Sequence, residues 1–219
     1  MSPARLQTFL NLPKEKQERI LRVALEEFSQ NGYERTSINT IVKRLGIAKG
    51  SIFQYFQGKE NLFLHLFTIA LETVKTRLKQ VRDDSVDRTF FERLDQTLDA
   101  GVRFINDHPA IYRLYLSVLF ESRMPFRQEI LSSIRHYSHD FLKGLIDTGV
   151  ERGELRKDID PDIAAFALDA ILDRFLQAQC IDHLDAGLGL FCLPEASTRR
   201  WITGIVDMVA AGLGRPEGR

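Results

Sequence analysis

Several small or hydrogen-bonding side chains stand close together in the first third of the sequence: Lys49, Gly50, Ser51, Gln54 and Tyr55. If this segment is helical, they lie away from the apolar residues at positions 52 and 56. Their ammonium, hydroxyl and amide groups can donate to base edges and phosphates, while the glycine lets the backbone approach another surface closely. This combination fits a helix that enters the major groove of DNA.

The segment before this group has the pattern of a short amphipathic helix. Apolar residues recur at i, i+3, i+4 and i+7 from Ile38 to Leu45, which places them on one helical face. Thr36 or Ser37 can cap the start of this helix, and Gly46 can end it in the left-handed conformation. A second apolar set resumes directly after this stop, so the chain must turn and begin another short helix. Two short helices joined by a turn with glycine are typical of a helix-turn-helix.

Lys59 follows Gly58, the residue expected to end the second short helix, and begins the next helix. The partial positive charge of a helix start and an ammonium group can act together on one phosphate. Such a contact positions a protein on DNA without reading its sequence. We therefore predict that Lys59 binds the DNA backbone.

Residues 46–60 read GIAKGSIFQYFQGKE, and this stretch resembles the DNA-binding signature of the TetR/AcrR-type bacterial transcriptional regulators. The chain differs from many members of that family at three positions. Ala48 stands where a capping Ser or Thr often precedes the lysine, Phe53 replaces a tyrosine, and Gln54 replaces a histidine. The resemblance implies a DNA-binding head followed by a helical body with a pocket for a small effector.

The predicted DNA-binding residues all lie in or beside the two short helices: Thr36, Ser37, Lys49, Gly50, Ser51, Phe53, Gln54, Tyr55 and Lys59. Charge is distributed in agreement with this assignment. The first 60 residues hold ten basic and six acidic side chains, which leaves +4 there and −4 in the rest of a chain with zero formal charge. A basic head on an acidic body has the sign that DNA binding requires.

The periodicity of apolar residues predicts an all-α protein, with no alternating strand pattern of useful length. A first helix from Pro13 to the Asn31-Gly32 pair completes a three-helix head, and a long helix over about residues 59–82 links head and body. Further helices are expected over about residues 88–106, 109–121, 125–153, 161–184 and 195–213. We assign residues 1–60 to a DNA-binding domain and residues 61–219 to an effector-binding and dimerisation domain.

An apolar patch upstream of the first helix, Leu6, Phe9 and Leu10, has two interpretations. It either packs against the head or belongs to an arm that reaches DNA through Arg5. The sequence leaves both open.

The body is rich in aromatic residues at helical spacing, more than a thin helical layer needs. Most such residues form core, and some can line a cavity. By the resemblance, we predict an effector site for an apolar or amphipathic ligand among the middle helices. The residues assigned to it are Leu66, Phe104, Tyr112, Tyr115, Leu119, Arg123, His136, Tyr137 and Phe141.

His136, His139 and Asp140 have a spacing that could place two metal ligands on one helical face. A solvated face or a hydrogen bond explains these residues better, so we expect no metal and no cofactor. We find no phosphate loop, zinc-protease motif or nucleophile elbow, and we expect no enzymatic activity. Cys180 and Cys192 lack metal-type spacing and are interpreted as small buried hydrophobic residues in a reducing compartment.

The last two long helices carry apolar residues on more than one side, and a helix that is apolar on two sides must be covered on two sides. We therefore predict a homodimer held by a four-helix bundle, to which each subunit contributes residues from 161–184 and 195–213. The residues assigned to the interface are Phe166, Ala170, Phe175, Trp201, Ile205 and Val209.

These features predict a ligand-responsive regulator of transcription, a repressor that binds a palindromic operator as a homodimer. The family resemblance implies that the effector releases it from DNA, as in most relatives. The protein is expected in the cytoplasm, without a membrane span or signal peptide. An activator would share every residue discussed, and a protein-interaction module could use the same helices without binding DNA. The repressor and the activator would both bind DNA in a salt-dependent way, whereas the module would not.

Overall fold

A computed structural model describes residues 3–214. These residues form ten helices, and the prediction of an all-α protein is confirmed. The helices are α1 (Pro3–Leu10), α2 (Lys14–Arg35), α3 (Ile38–Leu45), α4 (Lys49–Phe56), α5 (Lys59–Asp84), α6 (Phe90–Asp107), α7 (Pro109–Phe120), α8 (Arg127–Glu151), α9 (Pro161–Cys180) and α10 (Glu195–Leu213). The described part of the chain contains no strand beyond an isolated bridge between Leu155 and Gly214.

The chain folds into two compact units. The first contains the residues up to Val74 together with His108–Ser132, and the second contains Lys75–Asp107 and the residues from Ser133 onward. The first unit therefore includes α7 as well as the helix-turn-helix, and it differs in extent from the predicted functional domain of residues 1–60. That functional division stays a prediction.

The helix-turn-helix forms because α3 and α4 bury their apolar faces against the helices around them. Ile41 and Ile52 are fully buried, and Gly46 ends α3 in the left-handed conformation at φ 66°. The Arg19 guanidinium on α2 donates to the carbonyl of Leu45 at 3.1 Å. Because helix ends leave carbonyls without partners, this bond stabilises the end of α3.

α1 packs on α4, so of the two interpretations of the upstream apolar patch, packing against the head agrees with the structure. Phe9 is buried, and its ring centroid lies 4.8 Å from that of Phe56 and 6.1 Å from that of Tyr55. The Arg5 side chain, which the alternative interpretation assigned to DNA, lies outside the described residues. α1 thus covers one side of α4 with aromatic contacts.

His65 lies half-buried beside this cluster, with its ring 5.7 Å from that of Phe9 and 5.6 Å from that of Phe56. Burial lowers the pKa of His65. As the pH falls below about 6.5, the unfolded chain therefore takes up a proton that the folded chain resists, and the free energy of unfolding decreases. We expect His65→Gln to make thermal stability less sensitive to pH between about 7 and about 5. Parallel melting-temperature profiles for the two proteins would contradict this expectation.

The second unit has its own hydrophobic core, built by α6, α8, α9 and α10 around residues such as Leu98, Ile146 and Leu168. α6 begins with a reciprocal cap in which the Thr89 amide donates to the Glu92 carboxylate at 2.8 Å. α9 begins where the Asp160 carboxylate accepts from the amides of residues 162 and 163.

Several predicted helix ends differ from the observed ones by a few residues. α8 begins at Arg127 and not at Pro125, because Phe126 adopts φ 56°, which interrupts a right-handed helix. α9 ends at Cys180, ahead of the predicted end at Leu184. Cys180 is half-buried and Cys192 is exposed, so the interpretation of these two cysteines as buried hydrophobic residues is wrong.

Candidate nucleic-acid interface

One side of α4 is exposed and carries the predicted hydrogen-bonding groups. Lys49, Gly50, Phe53 and Gln54 are exposed, and Ser51 is half-buried. Phe53 is 41% exposed. The exposed side of α4 therefore offers an ammonium, an amide and an apolar ring, each of which can contact DNA.

Gly50 has no packing reason to be glycine in this chain. A Cβ at this position would meet no described atom within 4 Å. Glycine inside a helix costs stability relative to alanine. The predicted role of Gly50, close approach to DNA, would account for this cost and stays a prediction.

Replacing Gly50 with alanine is expected to separate stability from binding. The free energy of unfolding should rise by about 0.5–1 kcal/mol, because alanine loses less backbone entropy in a helix. DNA affinity should fall, since the added methyl group lies where the backbone approaches the groove. Chemical denaturation and a binding titration on the same preparation would check both. Unchanged affinity would show that the backbone at position 50 does not approach DNA closely.

The prediction that Tyr55 lies on the exposed side of α4 is wrong. Its side chain is 7% exposed, because α1 covers this side of the helix and brings Phe9 against it. Tyr55 contributes to the position of α4 from inside the head.

Thr36 is likewise not on the surface. Its hydroxyl donates to the carbonyl of Gly32 at 2.6 Å and lies 3.3 Å from that of Glu27, and its side chain is buried. Ser37 occupies the cap position of α3, but its side chain makes no capping hydrogen bond. Thr36 therefore holds the segment that leads into α3, and the half-buried Ser37 stays a predicted DNA contact.

Lys59 is half-buried, and its ammonium group donates to backbone carbonyls within the head. It lies 2.8 Å from the carbonyl oxygen of Tyr33, 3.1 Å from that of Glu34 and 3.2 Å from that of Thr36. α4 also ends one residue earlier than predicted, with Gln57 in place of Gly58 in the left-handed conformation. Since these bonds occupy the ammonium hydrogens, a phosphate contact by Lys59 would compete with them.

The exposed side of α3 adds further charge to this surface, with Lys43 exposed and Arg44 tied to α2. Arg44 pairs with Glu26, and a second nitrogen of its guanidinium lies 3.8 Å from the Glu27 carboxylate. Arg44 therefore holds α3 against α2, while Lys43 stands free of this network.

The predicted effector residues fall in both units. Leu66, Tyr112, Tyr115, Leu119 and Arg123 belong to the first, and Phe104, His136, Tyr137 and Phe141 belong to the second. Within the first unit, Tyr112 and Tyr115 lie side by side on α7 with ring centroids 5.6 Å apart. Within the second, the Lys75 ammonium lies 5.4 Å from the Tyr137 ring centroid. Their joint role in binding stays a prediction.

His139, the centre of the candidate metal cluster, faces α9. Its Nε2 lies 3.2 Å from an Asp162 oxygen, and the Lys143 ammonium lies 3.4 Å from the same oxygen. Asp162 thus joins α9 to α8 through an ion pair with Lys143 and a polar contact with the His139 ring. Among the described residues, no group of three His, Cys, Asp or Glu side chains could hold a metal ion.

The predicted interface residues divide into exposed and buried sets. Phe166 and Ala170 are exposed, and Trp201 and Ile205 are half-buried. The prediction that Phe175 and Val209 lie in the dimer interface is wrong, because each is only 5% exposed and belongs to the core of its own chain.

An apolar stripe does remain on α9. Ile163, Phe166, Ala167 and Ala170 are all exposed at spacing i, i+3, i+4 and i+7, with Phe166 at 73%. Met208 is exposed on α10 in the same unit. Ile163, Ala167 and Met208 are not among the predicted interface residues. The helical spacing of the α9 stripe could have identified Ile163 and Ala167.

α4 is a short helix that exposes hydrogen-bond donors and a glycine, and it packs against α3 across a tight turn. This arrangement defines a helix-turn-helix DNA-binding protein. Comparison with known families agrees. The family model described as bacterial regulatory proteins of the tetR family matches residues 20–66, and the tetracyclin repressor-like C-terminal domain matches residues 88–213. The chain belongs to the TetR family of transcriptional regulators, as its resemblance predicted.

Relatives and solved structures support this membership. A TetR family transcriptional regulator from Chloroflexus aurantiacus J-10-FL is 32% identical, with a TM-score of 0.72 over 95% of this chain and 98% of that one. The fatty acid metabolism regulator protein of Bacillus subtilis is 26% identical over 160 residues, which cover 72% of this chain and 80% of the relative. The structure of FadR from Bacillus subtilis in complex with stearoyl-CoA, at 20% identity, shares the fold with a TM-score of 0.70 over 89% of this chain and 97% of that one.

Within residues 3–214, every helix is too short or too polar to cross a bilayer.

Proposed function

We propose that this TetR-family regulator is a repressor that binds an inverted-repeat operator as a homodimer and leaves it when a small apolar or amphipathic effector binds. Residues 1–60 would contact DNA, and residues 61–219 would bind the effector and the second subunit. The regulator would act in the cytoplasm, where its operator lies. The observation that carries this proposal is the exposed side of α4, where Lys49 and Gln54 flank a glycine with open space above it.

DNA recognition would use the exposed groups of α4 in two ways. The Lys49 ammonium would bind phosphate and orient the head, whereas Gln54 would contact base edges. A glutamine can pair with adenine through two hydrogen bonds, and an apolar ring such as that of Phe53 can contact a thymine methyl group. Gln54 and Phe53 would therefore supply the difference in affinity between one operator sequence and another.

Homodimer formation is supported by the exposed stripe of α9. Ile163 and Phe166 are 68% and 73% exposed, and alanines beside them leave room for a close helix–helix approach. Gly204 and Gly212 on α10 would also leave room, since a Cβ at either position meets no described atom within 4 Å. An α9–α10 pair from each subunit would form a four-helix bundle.

A dimer related by a two-fold axis presents two copies of α4 to the same DNA. The half-sites should therefore be inverted and separated by one helical turn, about 34–36 Å, or a multiple of it. The palindromic operator follows from the dimer and from α4 together.

The effector class is supported by the aromatic residues on α7 and by one relative. Tyr112 is buried and Tyr115 is half-buried, so both rings offer apolar area with a hydroxyl group at the end. The Bacillus subtilis relative is a regulator of fatty acid metabolism. A lipid-like or aromatic effector with a polar end suits these rings.

Selection of duplexes from a randomised pool by the purified protein, followed by footprinting at increasing salt, tests this function. A protected inverted repeat whose affinity falls with salt would support the regulator. Sedimentation with and without the duplex would give the number of chains bound. Failure to select any duplex, from the random pool or from genomic fragments, would favour a protein-interaction module.

An activator is the second candidate function, because it would use the same α4 surface and the same α9 stripe. A transcription assay on the selected operator distinguishes the two. Repression requires that added protein lowers transcript level, whereas activation requires that it raises it.

A further inference from the structure

The backbone of α2 is broken close to its C-terminal end, within the first unit. Gly32 adopts φ 70° and ψ 179°, which interrupts the helix and leaves residues 33–35 as a separate helical turn. Such a break exposes amide groups that would otherwise bond within the helix. Non-glycine residues rarely adopt this backbone conformation.

Glu121, the residue that ends α7, fills this break. Its carboxylate accepts from the amide of Tyr33 at 2.9 and 3.1 Å and from the amide of Glu34 at 3.2 Å. A Cβ at Gly32 would overlap the Glu121 carboxylate, so only glycine leaves room for it. A carboxylate at the start of a helical turn satisfies its amides and is favoured by its dipole.

The opposite end of the same turn is held by a positive charge. The Lys59 ammonium donates to the carbonyls of Tyr33, Glu34 and Thr36, and it lies 4.6 Å from the Tyr33 ring centroid. A cation at the C-terminal end of a helical turn is again favoured by the dipole. One helical turn is thus held by an anion from α7 and by a cation from the start of α5.

This turn leads directly into the helix-turn-helix. Thr36 and Ser37 connect it to α3, and α3 packs on α4. We infer that Glu121 and Lys59 are positioning residues, which hold the α3–α4 pair in the orientation that binds DNA. This role rests on the proposed function, because it gives Glu121 an effect on DNA through α3 and α4 without a contact to DNA.

The inference also gives α7 a mechanical connection to the head. Tyr112 and Tyr115 lie on the same helix as the residue that enters the break. A displacement of α7 would therefore withdraw or reorient the Glu121 carboxylate and release the amides of Tyr33 and Glu34.

A purely stabilising cap would have a different consequence. Removal of such a cap would lower the melting temperature and leave the DNA affinity of the folded protein unchanged. Removal of a positioning residue would weaken DNA binding even at temperatures where the variant is fully folded. The two roles are therefore separated by affinity measured well below the melting transition.

The test compares Glu121→Ala and Glu121→Gln with Glu129→Ala, a control at an exposed carboxylate on α8 in the same unit. The probe is the duplex selected by the wild-type protein. We expect Glu121→Ala to bind this duplex about tenfold or more weakly, because both heads of a dimer lose the cap. Glu121→Gln keeps one acceptor oxygen and should lie between Glu121→Ala and wild type. Glu129→Ala should bind as wild type does.

Amide hydrogen exchange, resolved by residue, provides the second measurement. The amides of Tyr33 and Glu34 should exchange faster in Glu121→Ala than in wild type. Wild-type affinity in a folded Glu121→Ala protein would overturn the positioning role and leave the proposed function intact. A wild-type protein that selects no duplex would overturn the proposed function and this role with it. If Glu121→Ala does not fold, the same outcomes apply to Glu121→Gln.

Discussion

Lys49→Ala is expected to weaken binding to the selected operator by about tenfold or more, because a hydrogen bond to a charged group contributes about 1.5–3 kcal/mol. The Lys49 side chain is exposed at the start of α4, where an ammonium group can reach a phosphate. A dimer loses two such contacts, so the slope of log affinity against log salt should decrease in magnitude by about 1.8. A titration at four or more salt concentrations would measure both changes.

Lys79→Ala is the matched control, since Lys79 is also an exposed lysine and lies on α5 outside the first unit. The control should retain the wild-type salt slope. If Lys49→Ala also retained it, the ammonium would make no phosphate contact, and the assignment of α4 as the DNA-binding helix would lose its main electrostatic support. Lys59 is unsuitable for this comparison, because its substitution would also remove three hydrogen bonds within the head.

Phe166→Asp is expected to dissociate the proposed dimer. The ring is 73% exposed on one chain, so the substitution should leave the folded subunit intact. In a four-helix interface, the variant would lose the burial of an aromatic side chain, worth about 1.5–3 kcal/mol, and would place a carboxylate in an apolar contact. Both effects occur twice in a symmetric dimer, so the dissociation constant should rise by about 100-fold or more.

Sedimentation equilibrium would measure this change, and the same variant should lose most of its affinity for a two-half-site duplex. Val86→Asp is the control, because Val86 is also an exposed apolar residue and lies outside α9 and α10. A Phe166→Asp protein that stays dimeric would place the interface elsewhere. Dissociation by both variants would indicate a general effect of added charge.

The helix-turn-helix could be predicted because its signals are local. The apolar spacing from Ile38 to Leu45 and the glycine that ends it both act within a few residues, and both agree with the structure. The family resemblance followed from the adjoining residues 46–60, and the all-α fold followed from the helical spacing of apolar residues along the whole chain. These features depend little on contacts with distant segments of the chain.

Contacts between distant segments could not be predicted in this way. The contact between Tyr55 and Phe9 of α1 is of this kind, although the burial of Tyr55 itself agrees with its position three residues after Ile52, on the same helical face. Glu121 lies 88 positions from the Tyr33 amide that it binds, and no local pattern marks it as a cap. Likewise, a helix that is apolar on two sides does not reveal which side faces its own core, and this explains the wrong assignment of Phe175 and Val209.

Gly32 and Gly50 are therefore glycines for opposite reasons, and this difference bears on how the protein can evolve. Gly32 adopts φ 70° beside the Glu121 carboxylate, so a larger residue there would be strained and would displace that carboxylate. Gly50 has open space above it, so the folded subunit would accept a larger residue. We expect descendants that acquire a new operator to vary first at position 50 and its exposed neighbours, while position 32 stays glycine in all of them.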